Sequence, residues 1–306
     1  MSVRAADERA HDAGADGWWE TWHLDVANAD GTGVFVRLAC SPALGIAWWW
    51  TYLVLPDVPG VVVVRDHEVP LPRQGLEIRA DGLWGEMTCE TPFEHWTYGV
   101  EAFGVRLDDP TDALRGEIGE RMAVGLDIEW EIEPGAVPPH ERRADWPVAG
   151  YSQVGAVHGE VLLGRSRIEL DAHGLRSHWW GAPGFDRAAS SAWMRAPALD
   201  ASFVRVAGRG VDGFVVSRAG GVQPIAGVRE EVQHDADGLP VVGRYVIDDD
   251  LEIGMEVLGT ALIPVTVPGG LNAVIARSLG RFDASEEPGT DRARIGNGWA
   301  SRLESG

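Results

Sequence analysis

GLDIEWEIE, residues 125–133, alternates apolar and acidic side chains without a break. Leu126, Ile128, Trp130 and Ile132 share one face, while Asp127, Glu129, Glu131 and Glu133 share the other. A period of two is the signature of a strand with one wet and one dry side. Such strands pair antiparallel. Similar β-rich runs recur: GVFVRLAC (33–40), GIAWWWTYLVL (45–55), GVVVVRDHEV (60–69) and GLEIRADGLWGEMTCE (75–90), each divided from the next by Gly, Pro or Asp turns. The only convincing helical stretch of this half is DPTDALRGEIGER (109–121), with Asp109 or Thr111 as its N-cap.

Strand signals resume after PGAVPPHERRADWPVA (134–149), whose Pro134, Pro138, Pro139 and Pro147 mark a linker or long crossover. Short strands at roughly regular spacing on both sides predict an all-β chain of two antiparallel barrel or sandwich domains with few short helices. The expected division is a disordered N-terminus at 1–16, a β-domain at 17–147 and a second at 148–306.

The charge balance narrows the partners. Acids number 47 against 26 bases, all arginine, for a net charge of −21. Nucleic acid and anionic membrane surfaces repel such a chain. The absence of lysine excludes Schiff-base chemistry. No apolar run is long enough for a membrane span, and MSVRAADERAHDAGADG has no apolar core of a signal peptide. Cys40 and Cys89 are too few for a disulfide framework, so a reduced, cytoplasmic setting is expected.

Metal and nucleotide motifs are missing. GRGVDG (208–213) fits G-x-G-x-x-G, but a strand-like run follows it where a fingerprint needs a helix, so it reads as a hairpin loop. In RDHEVP, Asp66 and Glu68 share a side and His67 takes the other, as at a solvated strand end. No cofactor and no metal are expected.

Fourteen tryptophans are the loudest feature of the composition. Trp48, Trp50 and Tyr52 fall on one face of their strand, and Ala47, Trp49, Thr51 and Leu53 on the other. Both faces are therefore buried or half-buried. Starting a strand at Phe93 puts Glu94, Trp96 and Tyr98 together, and Glu86, Thr88 and Glu90 share a face of the strand before. A carboxyl beside tryptophan in a dry pocket has a raised pKa and can donate a proton. In GLRSHWWG (174–181), Arg176, His178 and Trp180 share a face opposite Ser177 and Trp179. Two readings stay open: a buried structural network, or a working site with Arg176, His178, Glu90 and Glu94 as catalytic groups and Trp48, Trp50, Tyr52, Trp96, Tyr98 and Trp180 against the substrate.

YSQVGAVHGEVLLGRSRIELDAHGLRSHWWG (151–181) resembles the signature segment of the hydroxyneurosporene synthase (carotenoid 1,2-hydratase) superfamily. There a Gly-rich hairpin leads into an Arg-Asp-His-x-Trp-Gly strand. ETW, VRLACSPALGIAWWWTYLV and GLWGEMTCETPFEHWTYGVEAF resemble an actinobacterial branch, and GRFDASEEPGTDRARIGNGWASR resembles its closing strand. The resemblance implies two lipocalin-like β-domains packed around an apolar pocket. Relatives include carotenoid hydratases, tocopherol-cyclase-like proteins and cyclases that carry out Diels–Alder reactions on polyketides. Arg176, His178, Trp180 and Gly181 fall on the motif, while Ser177 stands where the motif has its aspartate. Asp200 and Phe203 lie in the region where the hydratases place a further acid and aromatic. The expectation is a cofactor-free enzyme acting on a large apolar isoprenoid or polyketide, or a non-catalytic lipid or terpenoid carrier.

Overall fold

A computed structural model describes residues 3–14, 16–116, 118–133, 138–183, 187–196, 199–217, 221–267, 271–285 and 294–305. The chain is all-β, in two antiparallel sheets. The first holds β1 (Trp19–Ala27), β2 (Gly33–Ser41), β3 (Ile46–Leu55), β4 (Val58–Pro70), β5 (Ile78–Ala80), β6 (Leu83–Thr91), β7 (His95–Leu107), β8 (Glu120–Glu131), β9 (His140–Glu141), β10 (Val148–Leu163) and β11 (Ser166–Gly181). Its strands run β4-β3-β2-β1-β11-β10-β8-β7, and a β4–β7 pairing closes that path into a barrel. The second holds β12 (Ala189–Ala196), β13 (Leu199–Val206), β14 (Gly210–Ser217), β15 (Gly221–Pro224), β16 (Val228–His234), β17 (Pro240–Ile247), β18 (Leu251–Val267), β19 (Leu271–Ser285) and β20 (Arg294–Ser305). It runs β15-β14-β13-β12-β20-β19-β18-β17-β16, with no pairing between its ends among the described residues.

The changeover between sheets lies between Gly181 and Ala189, later in the chain than the expected joint at 134–149. β10 and β11 belong to the first barrel because β11 is the strand that pairs β1 along its whole length. The described part of the proline-rich stretch, 138–147, lies between β8 and β10 of that barrel, and the domain expectation of 17–147 and 148–306 cuts through the barrel. Residues 134–137 lie outside the described residues. The N-terminus also differs from expectation: Ala5–Glu8 form a 3-10 turn, and Glu8 is buried. A polar segment carries no apolar signal, so its anchoring by charge is invisible to hydropathy.

The expected helix at 109–121 shortens to a 3-10 turn, Pro110–Arg115. Asp109 caps it by accepting from Thr111 N at 2.8 Å, and Gly116 (φ 100°) ends it in a left-handed conformation. GRGVDG forms the β13–β14 hairpin. The alternation holds over 126–131, where Leu126, Ile128 and Trp130 are buried while Asp127, Glu129 and Glu131 are exposed; Ile132 and Glu133 lie past the end of β8 and are both half-buried.

Three apolar clusters organise the molecule. One fills the first barrel with Trp22, Leu24, Trp49, Trp96, Tyr98 and Trp130 among others. Another fills the second sheet's concave side around Phe203, Tyr245 and Phe282. The third lies between the sheets, where Trp48, Trp50, Tyr52 and Phe35 meet Trp193, Leu279 and Trp299. β3 therefore buries both faces, as its sequence requires. Full burial of each large apolar side chain contributes about 1.5–3 kcal/mol. Gly33 permits the close approach of the sheets, since a Cβ there would sit 2.7 Å from Leu279 Cδ1. The Trp299 indole also donates to Val26 O across the interface at 2.8 Å. Among the described residues, no helix is long and apolar enough to cross a membrane.

Candidate functional site

β11 carries charged or polar groups on both faces, and the two faces lead to different places. Arg176 and His178 point into the first barrel and are fully buried. The Arg176 guanidinium meets Glu8 through two bonds, Nη1 to Oε2 at 2.8 Å and Nη2 to Oε1 at 2.9 Å. Glu8 also accepts from the Tyr151 hydroxyl at 2.5 Å and from Phe93 N at 2.8 Å, and Arg176 adds a bond to Gln153 at 3.2 Å. Trp96 and Trp130 flank the guanidinium at 5.0 and 4.9 Å. Burial works against the Arg176 charge, but Tyr151 and Glu8 outweigh it and its pKa is raised.

His178 Nε2 lies 2.8 Å from Glu20, which also meets His11 Nδ1 at 2.7 Å and accepts from His11 N. Burial raises the Glu20 carboxyl, but the hydrogen bonds from His11 and His178 win and leave it lowered. Burial lowers His178, partly offset by Glu20. Trp180 packs on His11 with ring centres 3.8 Å apart. His11, Glu20 and His178 offer two imidazoles and a carboxylate within 4.8 Å of one another, a set that can ligate a metal. The hydrogen bonds among them already satisfy Glu20.

Glu90 and Glu94 are not part of this cluster. Both are exposed beside the β6–β7 turn. The register slips between Cys89 and Thr91, and Phe93 adopts φ 62°, so the strand begins at His95 and the parity drawn from Phe93 does not carry Glu94 inward. The acids that meet Arg176 and His178 are instead Glu8 and Glu20, and sequence reasoning assigned neither a role. Trp96 and Tyr98 are barrel core. Trp48, Trp50 and Tyr52 lie on the opposite side of the barrel wall, between the sheets.

The other face of β11 opens on a cavity of about 220 Å³ between the two sheets. Trp50, Trp179, Trp193 and Trp299 line it together with Leu175 and Phe203. Pairing places His23 of β1 directly between Arg37 of β2 and Ser177 of β11. Ser177 and Ser152 share a hydrogen bond of 2.8 Å. Asp25 is ion-paired with Arg277. Arg142 donates to Asp212 at 3.1 Å. Arg37 stacks over Trp50 at 4.6 Å and near Trp179 at 5.4 Å.

Burial, then Arg277, Arg37 and Arg142, hold His23 well below the ordinary imidazole range, so it is neutral at pH 7. Burial raises the Asp25 carboxyl against the pull of Arg277 and Arg37. Neither Arg37 nor His23 has a side-chain hydrogen bond to any described residue. Sequence reasoning missed both; the signal available was a charged or polar residue on an otherwise apolar strand face.

Two further spaces lie among the described residues. One of about 320 Å³ lies on the concave side of the second sheet, and an open cleft of about 930 Å³ runs by Trp48, His67 and Pro264. His67, expected at a solvated strand end, accepts from the Trp50 indole at 2.8 Å, and burial with Arg65 and Arg37 brings it down to about 4. Asp200 lies near Arg195 at 3.7 Å with its pKa raised by burial to about 6. Phe203 lines the inter-sheet cavity.

A domain of unknown function, DUF7064, matches residues 4–299. The chain belongs to that family. Among curated proteins, none matches the sequence significantly. Solved structures similar in fold include an AttH-like protein from Nitrosomonas europaea, with a TM-score of 0.66, 11% identity and coverage of 99% of this chain and 96% of that one. CghA has a TM-score of 0.58 at 12% identity, covering 94% of this chain and 88% of that one, and is also known with Sch210972. Kievitone hydratase from Nectria haematococca has a TM-score of 0.59 at 9% identity, with coverage of 94% and 88%. Identities this low establish the shared two-sheet fold of the DUF7064 chain and nothing of its chemistry.

Proposed function

We propose that this DUF7064 protein is a cofactor-independent enzyme acting on an apolar isoprenoid or polyketide in the inter-sheet cavity. The reaction is a cyclisation, pericyclic ring closure, isomerisation or hydration. The observation that carries this reading is the pairing of His23 with Arg37 in a tryptophan-lined space. A neutral imidazole can take up and return a proton at neutral pH. A guanidinium beside it can stabilise negative charge developing on a carbonyl oxygen. Asp25, its carboxyl raised by burial, is a second proton-handling group on the same strand face. The β13–β14 hairpin occupies the one stretch with a dinucleotide-like glycine pattern, so the chain's own side chains carry the chemistry in this account. Two relatives in fold agree with small-molecule work: one is a hydratase by name, and the other is known with Sch210972. The enclosed volume is below the roughly 300 Å³ at which drug-sized pockets begin. A large substrate therefore extends through the mouth beside Trp146, Pro183 and the exposed Arg187.

The test is a reconstitution. Purified protein is added to a metabolite extract from a host lacking its gene, and the mixture is followed by mass spectrometry. An enzyme of this kind converts one compound into a product of equal mass, or of equal mass plus water. His23→Gln should slow that conversion by about 10²–10⁴-fold. A carrier would instead withdraw a compound from solution and release it unchanged on denaturation, and that result rejects the enzymatic reading.

A further inference from the structure

The inter-sheet cavity holds more positive charge than its own residues balance. Arg37, Arg142, Arg187 and Arg277 line it, with Asp25 as the only lining acid among the described residues. Asp25 is committed to Arg277, and Asp212 behind the wall is committed to Arg142. Arg187 is exposed at the mouth. Arg37 is left. No described acid lies within ion-pair distance of it, and its Nε is buried without a hydrogen-bond partner. The faces of Trp50 and Trp179 flank it, and Asp25 and Tyr52 favour its charged form, Asp25 from beyond ion-pair distance. Burial and then Arg277 draw it down to about 9, which still leaves it charged at neutral pH.

The protein carries 47 acids against 26 bases, yet no described acid is placed within ion-pair distance of this guanidinium. A cation taken out of water without an anion is costly, and a guanidinium fork fits a pair of oxygens on one ligand. Around it Leu175, Val148, Trp193 and Ile275 give apolar wall, with serines such as Ser191, Ser202 and Ser301 between them.

We infer that the cavity takes an amphiphilic monoanion, whose carboxylate or enolate oxygens sit on the Arg37 guanidinium and whose apolar body lies against Trp193 and Leu175. The inference rests on the inter-sheet cavity being the ligand site and names the class of molecule that site accepts. His23, paired across from Arg37 in the strand register, then stands beside the charged end of the ligand rather than beside its tail. In an enzyme acting on such a ligand, proton transfer occurs next to the anionic head.

The experiment is titration calorimetry of the full chain with octanoate, octan-1-ol, inorganic phosphate, and 2-octanoylcyclohexane-1,3-dione, an enolate at neutral pH, alongside its O-methyl ether. The anions should bind about 10- to 100-fold tighter than their neutral counterparts, the range expected for a charge-assisted hydrogen-bonded pair. Whichever anion binds tighter distinguishes carboxylate from enolate. Arg37→Gln should bring the octanoate affinity down to that of octan-1-ol and leave octan-1-ol unchanged, which also reports that the variant is folded. Arg37→Lys should fall between. Equal binding of octanoate and octan-1-ol to the unaltered protein overturns the anion while the cavity stands. Phosphate binding as tightly as octanoate overturns the apolar body. Binding of none of these probes overturns both the inference and the cavity reading beneath it.

Discussion

Two charged clusters lie back to back across the wall of the first barrel, and β11 contributes to both. On the inner face, the Arg176 guanidinium and His178 Nε2 meet the buried carboxylates Glu8 and Glu20, with Tyr151 and His11 beside them, although Arg176 Nε and His178 Nδ1 have no hydrogen-bond partner among the described residues. On the outer face, Arg37 and His23 face a cavity in which no described acid lies within ion-pair or hydrogen-bond distance of either. The inner cluster has the chemistry usually sought in an active site, yet its charged ends are occupied by the protein and none of the three spaces described above is lined by them. What separates the two faces is the carboxylate: Arg176 and His178 each have one at hydrogen-bond distance, and among the described residues Arg37 and His23 do not.

The largest effect expected from that difference is on stability. Arg176→Met should destabilise the fold by about 3–5 kcal/mol, since it leaves Glu8 buried without its partner. Arg37→Met should leave stability unchanged within about 1 kcal/mol, or raise it, since it removes a half-buried charge that has no acid at ion-pair distance among the described residues. Urea unfolding of the two variants measures this directly, and equal losses would erase the distinction between the clusters. Next in size is His178→Ala, expected to cost about 1–3 kcal/mol by leaving Glu20 short of one donor. The same variant should bind ligands of the inter-sheet cavity with unchanged affinity. Weakened binding in a folded variant would place the site inside the barrel.

Acidification bears on both faces and sharpens the comparison by its sequence of events. His23 and His178 have folded pKa values below the ordinary 6.5, and Glu20 lies below the ordinary 4.5. In each case the unfolded chain binds more protons, so stability is lost as pH falls. The histidine contribution is present above pH 6.5 and fades below it; that of Glu20 fades only below 4.5. His23→Gln should therefore flatten the first part of the decline without lowering stability at pH 7.5. Unfolding midpoints measured across pH 4–7.5 give the answer, and a profile identical to the parent's would show that His23 is not held neutral by the cavity. The smallest effect is reserved for Glu90→Gln and Glu94→Gln, which should change stability by less than about 0.5 kcal/mol and binding not at all.

The sheets were largely legible in the residues. Alternation at 125–133 and the two-faced burial of Trp48–Leu53 report strand and barrel wall, because side-chain direction in a strand follows parity. Parity also separated Arg176 and His178 from Ser177 and Trp179 correctly. It could not say which face holds the ligand, because that depends on what each face meets. Glu8 reaches Arg176 across 168 positions of sequence, and Arg277 reaches Asp25 across 252. Neither contact has a local signal. The Glu94 assignment failed for a different reason: Glu94 lies in the turn before β7, beside a register slip and one left-handed residue at Phe93, so the parity that holds for Trp96 and Tyr98 does not extend back to it. The domain joint was misplaced because prolines mark a crossover as readily as a boundary.

The most direct measurement is a crystal structure of the full chain with octanoate bound. The account predicts ligand density between the sheets, with the carboxylate on the Arg37 guanidinium, the chain against Trp193, and Glu8 still paired with Arg176. Density inside the first barrel, with Glu8 displaced and the carboxylate on Arg176, would contradict it.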